Sequence, residues 1–146
     1  MQKVSLRGVI FVLTSVLWFT AAAQNEPWQP EQLLSPSELA AKIQNPAEPK
    51  PIIFDIGPAG QIKGARSVGA THDKQAMNKL KKALKDKSRD EEIVLYCGCC
   101  PFKDCPNVRP AFTLLNEMKF TNHKLLNLAT NLKVDWIDHG YPMQEE

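Results

Sequence analysis

The chain has no cysteine outside one segment of nine positions, no apolar run long enough to span a bilayer, and only three histidines among 146 residues. Cysteines confined to one segment cannot link distant parts of a domain, which argues against the disulfide framework of small exported proteins. The histidines, His72, His123 and His139, have no metal-ligand spacing between them, so each is expected at the surface. The sequence also has no internal repeat and no low-complexity segment.

The first 23 residues are typical of a secretory signal peptide. Lys3 and Arg7 precede an apolar run that ends at Phe19, and small residues follow as far as Ala23. The run is shorter than the roughly 20 residues that a membrane-spanning helix needs, which favours cleavage over a retained anchor. We therefore expect an exported protein, periplasmic or extracellular, with no stable membrane anchor after cleavage.

Cleavage after Ala23 would leave 123 of the 146 residues, with sixteen basic and sixteen acidic side chains. A chain of this length forms one domain and buries enough apolar surface to be stable without disulfides. Residues 73–89 contain seven basic and two acidic side chains, which we interpret as the solvated face of an amphipathic helix. The charge pattern therefore predicts no nucleic-acid partner.

Helix and strand patterns alternate along the mature chain. Residues 24–34 are polar and contain prolines, and are interpreted as an N-terminal arm or tether that precedes a domain spanning residues 35–146. Helices are expected to begin near Pro36, Asp73, Val108 and Asn131, buried strands at residues 52–56, 91–97 and 123–128, and loop at residues 57–70. This order predicts an α/β domain with a mostly parallel central sheet flanked by helices on both faces.

The four cysteines lie in the stretch "YCGCCPFKDCPN", where Cys97 follows the predicted strand "EEIVLY" directly. Reactive groups of open α/β sheets gather at the carboxyl ends of the strands. Loop N–H groups and the dipole of the following helix would favour a thiolate at Cys97, which makes it the candidate nucleophile. The same loop, with Gly98, Cys99 and Cys100, is a candidate cradle for an anionic substrate.

The companions of Cys97 allow several arrangements. Cys100 and Cys105 are near enough to form a disulfide, which would leave Cys97 and Cys99 as a reactive pair, but the three possible pairings stay open. The spacing does not match the two separated knuckles of a zinc site, whereas crowded thiols do suit a soft metal such as Cu(I). We expect no metal and no cofactor.

Four motifs in order resemble the rhodanese-like family of sulfurtransferases over residues 34–142. They are "IIFDIG", "GQIKGA", "IVLYC" and "DWIDHGYP", which resemble the family's second-strand aspartate motif, its glycine-rich turn, the strand before its catalytic cysteine and its C-terminal tryptophan helix. The resemblance implies a rhodanese-like fold, with Asp55, Gly64 and Trp136 as structural positions. Two departures are Gly57, where the family has arginine, and Gln61, where it has histidine.

The resemblance also implies an activity. Cys97 would take a sulfane sulfur from a donor such as thiosulfate, become a persulfide and pass the sulfur to a thiophilic acceptor. Arg109 resembles the basic residue that closes the family's loop and is a candidate partner for an anionic donor. The implied partners are a small sulfur-containing anion or thiol and a periplasmic reductant or acceptor protein.

Two alternatives remain, because the cysteine loop is longer than the family's. One is a thiol–disulfide redox protein that uses Cys97 with Cys99 or Cys100. The other is a rhodanese-like module without activity, which binds a partner or a soft metal through residues 97–105.

Overall fold

The structure, a computed structural model, describes residues 26–145. The predicted signal peptide, residues 1–23, lies outside these described residues. Within residues 26–145 no helix is both long enough and apolar enough to cross a membrane.

The core of the molecule is a five-stranded sheet in which every pair of neighbouring strands is parallel. The strands are β1 (Leu33–Leu34), β2 (Ile52–Asp55), β3 (Arg66–Ser67), β4 (Ile93–Tyr96) and β5 (His123–Leu126). Their order across the sheet is β1-β5-β4-β2-β3, so β4 lies at the centre. All four residues of β4 are buried, as expected of a strand covered on both faces.

Four helices cover the two faces of the sheet. They are α1 (Pro36–Gln44), α2 (Lys74–Leu84), α3 (Val108–Glu117) and α4 (Leu132–Asp135). Apolar residues of α2 and α3 pack with Phe54 and Leu95 on one face, and those of α1 and α4 pack with Ile53 and Val94 on the other. The predicted α/β fold, a parallel sheet with helices on both faces, is confirmed.

Local sequence signals explain where α1 begins. The Ser35 hydroxyl accepts a hydrogen bond from the Glu38 N–H, and the Glu38 carboxylate accepts one from the Ser35 N–H at 2.9 Å. Pro36 occupies the first helical position, where its missing N–H removes no hydrogen bond. This is the capping box that the sequence predicts.

Residues 26–34 are part of the folded domain, which corrects their interpretation as an arm or tether. Leu33 and Leu34 form β1 and pair with β5. Trp28 is buried, and its ring lies 5.8 Å from that of Phe102 in the cysteine loop and 5.7 Å from that of Phe112 in α3. The domain therefore begins before residue 35, because one aromatic side chain anchors this polar segment against the core.

Two further details differ from the sequence predictions. The glycine-rich residues 57–70, expected to be loop, contain the short edge strand β3. His123, expected at the surface, is buried, and its Nε2 lies 2.8 Å from the Asn116 Oδ1. Burial lowers the pKa of His123, which keeps the ring neutral and compatible with its place in the core.

Candidate active site at the end of the central strand

Cys97 lies directly after β4, at the carboxyl end of the central strand, and only 3% of its surface is exposed. The chain turns immediately afterwards at Gly98, whose φ of +73° favours glycine. The Gly98 carbonyl accepts a hydrogen bond from the Leu132 N–H at 2.9 Å, which ties the loop to the start of α4. The sheet therefore holds the candidate nucleophile in a fixed and enclosed position.

Gly57, at the end of the neighbouring strand β2, forms one wall of this site. A Cβ atom at Gly57 would lie 2.5 Å from the Cys97 Sγ and 2.7 Å from its carbonyl oxygen. The Gly57 N–H donates to the Asp55 Oδ1 at 3.0 Å. Glycine, which has no Cβ atom, therefore leaves room for Cys97 at this position. The resembled family has arginine there.

Asn107 contacts the candidate nucleophile from the other side. Its Nδ2 donates a hydrogen bond to the Cys97 Sγ at 3.2 Å. Its Oδ1 accepts from the His72 N–H at 2.9 Å and lies 2.7 Å from the His72 Nδ1, which therefore carries the proton. His72 thus fixes the orientation of the Asn107 amide so that its N–H₂ group faces the sulfur.

The sequence analysis did not identify Asn107 as a site residue. It directly precedes α3, yet its side chain makes no capping hydrogen bond to the helix. The buried Thr71 hydroxyl donates to the Asn107 carbonyl at 2.7 Å, so both the backbone and the side chain of this residue are held by residues 71–72. The sequence signal that could have identified Asn107 is its position directly after the cysteine-rich loop. That position alone does not distinguish a helix N-cap from a residue that contacts the thiol.

The four cysteines form one cluster of free thiols. The Cys97 Sγ lies 3.3 Å from the Cys99 Sγ, which lies 3.2 Å from the Cys100 Sγ. The sulfur atoms of Cys97, Cys99 and Cys105 all lie within 4.8 Å of one another. Cys105 therefore belongs to the group around Cys97, and the Cys100 to Cys105 disulfide considered from the sequence is not formed.

The environment of Cys97 stabilises its thiolate. The hydrogen bond from the Cys105 thiol, followed by those from the Asn107 amide and from Cys99, lowers the pKa of Cys97 to about 5 despite its burial. The same hydrogen bond, together with burial, raises the pKa of Cys105. Partial desolvation and the contacts with Cys100 and Cys97 raise the pKa of Cys99 to about 12. At neutral pH Cys97 is thus a thiolate, whereas Cys99 and Cys105 keep their protons.

Asp55 is a second buried acid at the end of β2. Burial raises its pKa to about 6, and the negative charge of Cys97 adds to this shift, while hydrogen bonds from Gly57 and Ser67 oppose it. Its contact with the Gly57 N–H means that Asp55 shapes the strand end beside Cys97.

Three of the thiols are close enough to consider a soft metal ion. Ligands bound to one ion at about 2.3 Å lie roughly 3.8–4 Å apart. The 3.3 Å between the sulfur atoms of Cys97 and Cys99 is shorter than that, as expected of a thiol hydrogen-bonded to a thiolate. Among residues 26–145, no histidine or carboxylate joins Cys97, Cys99 and Cys105 as a further potential metal ligand, so the group offers thiol ligands alone.

Arg109 contacts the N-terminal segment of the domain. Its guanidinium forms a salt bridge with Glu26, with Nη1 and Oε2 2.9 Å apart, and lies 5.4 Å from the centre of the Trp28 ring. These contacts hold the N-terminal segment against α3. They give Arg109 a structural role, and its binding of an anionic donor stays a prediction.

The other predicted structural residues lie away from the sulfur atoms. Gly64 has a φ of +79° in the turn before β3, a conformation that favours glycine. Trp136 is fully buried, and its Nε1 donates to the Pro142 carbonyl at 3.2 Å.

A surface groove of about 460 Å³ beside the cysteine loop is lined by Phe102, Lys103 and Asn127 among others, but not by Cys97.

The hydrogen bond from Asn107 predicts a measurable change in the reactivity of Cys97. Replacing Asn107 by alanine removes the amide donor, so the thiolate loses stabilisation and the pKa of Cys97 rises. A hydrogen bond to a charged group contributes about 1.5–3 kcal/mol, so we expect the pH midpoint of alkylation by iodoacetamide to move upward by about 1–2 pH units. The control is Asn78→Ala in α2, which should leave the midpoint unchanged; equal midpoints in both variants would contradict the role of Asn107.

No family model and no curated protein matches the chain. Among solved structures, it is similar to wild-type EanB and to a cysteine-to-serine variant of EanB in complex with hercynine. In both cases the TM-score is 0.56, the sequence identity is 21%, and the alignment covers 78% of this chain and 27% of the other. The chain thus spans about a quarter of the length of the EanB structures. At this identity the similarity supports the α/β fold with its parallel sheet.

Proposed function

We propose that the protein is an exported, rhodanese-like sulfurtransferase that moves a sulfane sulfur through a persulfide on Cys97. The observation that carries the proposal is the buried Cys97 at the end of β4, whose sulfur accepts a hydrogen bond from Asn107 and contacts Cys99. The Cys105 thiol, with these contacts, lowers the pKa of Cys97 to about 5. A thiolate is the form of cysteine that attacks sulfur, and a thiol with an ordinary pKa is mostly protonated at neutral pH.

Two steps complete the reaction. The Cys97 thiolate attacks the outer sulfur of thiosulfate, the bond between the two sulfur atoms of the donor breaks, and sulfite leaves with the electron pair. The product is a Cys97 persulfide anion. Cyanide or a thiolate then attacks the outer sulfur of the persulfide, and Cys97 leaves as a thiolate, ready for another cycle.

The described residues fit both steps. Because its pKa is low, Cys97 is a good leaving group in the second step as well as an ionised nucleophile in the first. The Asn107 amide and the Cys105 thiol stabilise negative charge on the Cys97 sulfur without taking a proton from it. No general base is required, since the nucleophile is already ionised.

The sequence adds support of a different kind. The four rhodanese-like motifs follow one another in an α/β domain with a parallel sheet, and the cysteine motif ends at the central strand. The first 23 residues favour export, which would place the thiolate in an oxidising compartment. A periplasmic reductant or acceptor protein is therefore part of the proposal.

The pH dependence of the first step tests this function. Sulfite release in a single turnover with thiosulfate should be nearly constant between about pH 6 and pH 8 and should fall as the pH is lowered through about 5. The sign follows from the attack by the thiolate, which is lost on protonation below the pKa of Cys97. A rate that instead keeps rising to above pH 8 would show an ordinary thiol, and absence of sulfite release would refute sulfur transfer from thiosulfate.

A second candidate function is thiol–disulfide exchange, which the 3.3 Å between the sulfur atoms of Cys97 and Cys99 favours. In this case Cys97 would attack a substrate disulfide, and Cys99 would displace the substrate thiol by forming a disulfide with Cys97. Both cysteines would then be required. The test is the reduction of a small, non-peptide disulfide by the reduced protein. A rate of reduction that exceeds the rate of thiocyanate formation, and that is lost in Cys99→Ser, would favour this function over sulfur transfer.

A further inference from the structure

The sulfur atoms of the cluster lead from the interior of the protein to its surface. Cys97 is buried with 3% of its surface exposed, whereas Cys99 is exposed and Cys100 is half-buried. Adjacent sulfur atoms are in contact, at 3.3 Å for Cys97 and Cys99 and 3.2 Å for Cys99 and Cys100. Sulfur transfer through a single cysteine needs no second thiol, so this arrangement is left unexplained by the proposed reaction alone.

The enclosure of Cys97 restricts which acceptors can reach it. Gly57 and Asn107 contact its sulfur from two sides, and the buried Cys105 lies close by. The loop above it is held by the Phe102 N–H, which donates to the Leu128 carbonyl at 3.1 Å, and by the contact between Phe102 and Trp28. A linear ion such as cyanide needs little space, but a cysteine within a peptide brings a backbone that this enclosure excludes.

We infer that Cys99 accepts the sulfane sulfur from Cys97 and presents it at the surface to a thiol acceptor of peptide or protein size. This inference rests on the proposed sulfurtransferase function and adds a second catalytic residue to it. It also identifies the class of acceptor, because a relay to the surface is unnecessary for cyanide.

The transfer balances without an outside oxidant, reductant or base. In the loaded state Cys97 carries a persulfide anion and Cys99 a neutral thiol. The Cys99 sulfur bonds to the outer sulfur, the bond between that atom and the Cys97 Sγ breaks, and the Cys99 proton moves to the transferred sulfur. Cys97 becomes a thiolate and Cys99 a neutral persulfide, so charge and oxidation state are conserved overall.

The geometry allows this step after a small movement of one exposed side chain. In-line attack places the outer sulfur between the two Sγ atoms, about 2 Å from one and about 3 Å from the other, so that they lie roughly 5 Å apart. Cys99 therefore has to withdraw from its resting distance of 3.3 Å. Because Cys99 is exposed, it can rotate outward into solvent without displacing packed atoms.

The chemistry of the two thiols favours transfer in the outward direction. Cys97 is the better leaving group, because its thiolate is stabilised by the Asn107 and Cys105 hydrogen bonds. Cys99 has the higher pKa, which makes it the poorer leaving group in the reverse transfer back to Cys97. Buried Cys105, which is also near Cys97, offers no comparable route to the surface.

The experiment compares two acceptors after loading with thiosulfate: cyanide, and a short peptide with a single internal cysteine. In Cys99→Ser, the ratio of peptide transfer to thiocyanate formation should fall by more than about tenfold relative to wild type. Serine retains a hydrogen-bonding hydroxyl near Cys97 but cannot carry a persulfide. Wild-type protein loaded with thiosulfate should also be alkylated and digested. Fragmentation of the proteolytic peptide that contains the cysteine loop should locate part of the added sulfur on Cys99.

The matched control is Cys100→Ser, the same change at the next residue, which should leave the ratio of peptide transfer to thiocyanate formation within about threefold of wild type. Undiminished peptide transfer in Cys99→Ser would overturn the relay, and so would an equal loss with both acceptors, which would assign Cys99 to the support of Cys97. In both cases thiocyanate formation by wild type would still support the proposed function. If wild type formed no thiocyanate, both the proposed function and the relay through Cys99 would be refuted.

Discussion

Replacing Cys97 by serine is expected to lower the rate of thiocyanate formation from thiosulfate and cyanide by at least about 1,000-fold, to the uncatalysed level. A serine hydroxyl at this position is not ionised and forms no persulfide. The thiols of Cys99 and Cys105 do not substitute for it, because the pKa of Cys99 is raised to about 12 and that of buried Cys105 is raised as well. Cys97 combines ionisation at neutral pH with hydrogen bonds that hold the charge.

The same substitution at Cys100 provides the control, since its thiol contacts Cys99 but is not within hydrogen-bonding distance of Cys97 in the described contacts. Cys100→Ser should keep thiocyanate formation within about threefold of wild type. Thermal denaturation of both variants checks that each is folded. Substantial activity in folded Cys97→Ser would assign the nucleophile to another residue.

Replacing Gly57 by alanine should destabilise the domain and disable the site together. The new Cβ would lie 2.5 Å from the Cys97 Sγ and 2.7 Å from its carbonyl oxygen, which is too close for either atom. The backbone cannot easily move away, because the Ile56 N–H donates to the Tyr96 carbonyl at 2.9 Å and keeps the ends of β2 and β4 together. Overpacking of this kind costs about 1–3 kcal/mol of unfolding free energy.

Denaturant unfolding measures that loss, and alkylation by iodoacetamide shows whether Cys97 keeps its low pKa. The control is Gly60→Ala in the same loop, where a Cβ would meet only the Met143 Cε at 3.4 Å. This variant should keep the stability of wild type within about 0.5 kcal/mol. If Gly57→Ala proved as stable and as reactive as Gly60→Ala, the close approach of the two strand ends would be contradicted.

The elements that the sequence predicts well are those with local signals. The run "IIFD" became β2 and "IVLY" became β4, because short apolar runs between polar residues suit a strand buried on both faces. Ser35, Pro36 and Glu38 marked the start of α1 by their own hydrogen-bonding capacity. These signals need no knowledge of distant residues, and they predict the position of Cys97 at the end of a buried strand.

The features that the sequence did not predict depend on contacts between distant segments. Trp28 lies in a polar stretch, and its burial depends on Phe102 and Phe112. The role of Asn107 beside Cys97 depends on His72, which is 35 positions away in the chain. Arg109 pairs with Glu26, which is 83 positions away in the chain. Such pairings leave no local pattern, since each partner alone has a more ordinary interpretation.

The most direct test of the proposed function is the intact mass of the reduced, mature protein before and after incubation with thiosulfate. We predict a gain of one sulfur atom, which is lost when cyanide is added and does not occur in Cys97→Ser. That result would establish the persulfide on the thiolate at the end of β4. An unchanged mass, with Cys97 reduced and able to react with iodoacetamide, would contradict sulfur transfer from thiosulfate and favour thiol–disulfide exchange through Cys97 and Cys99.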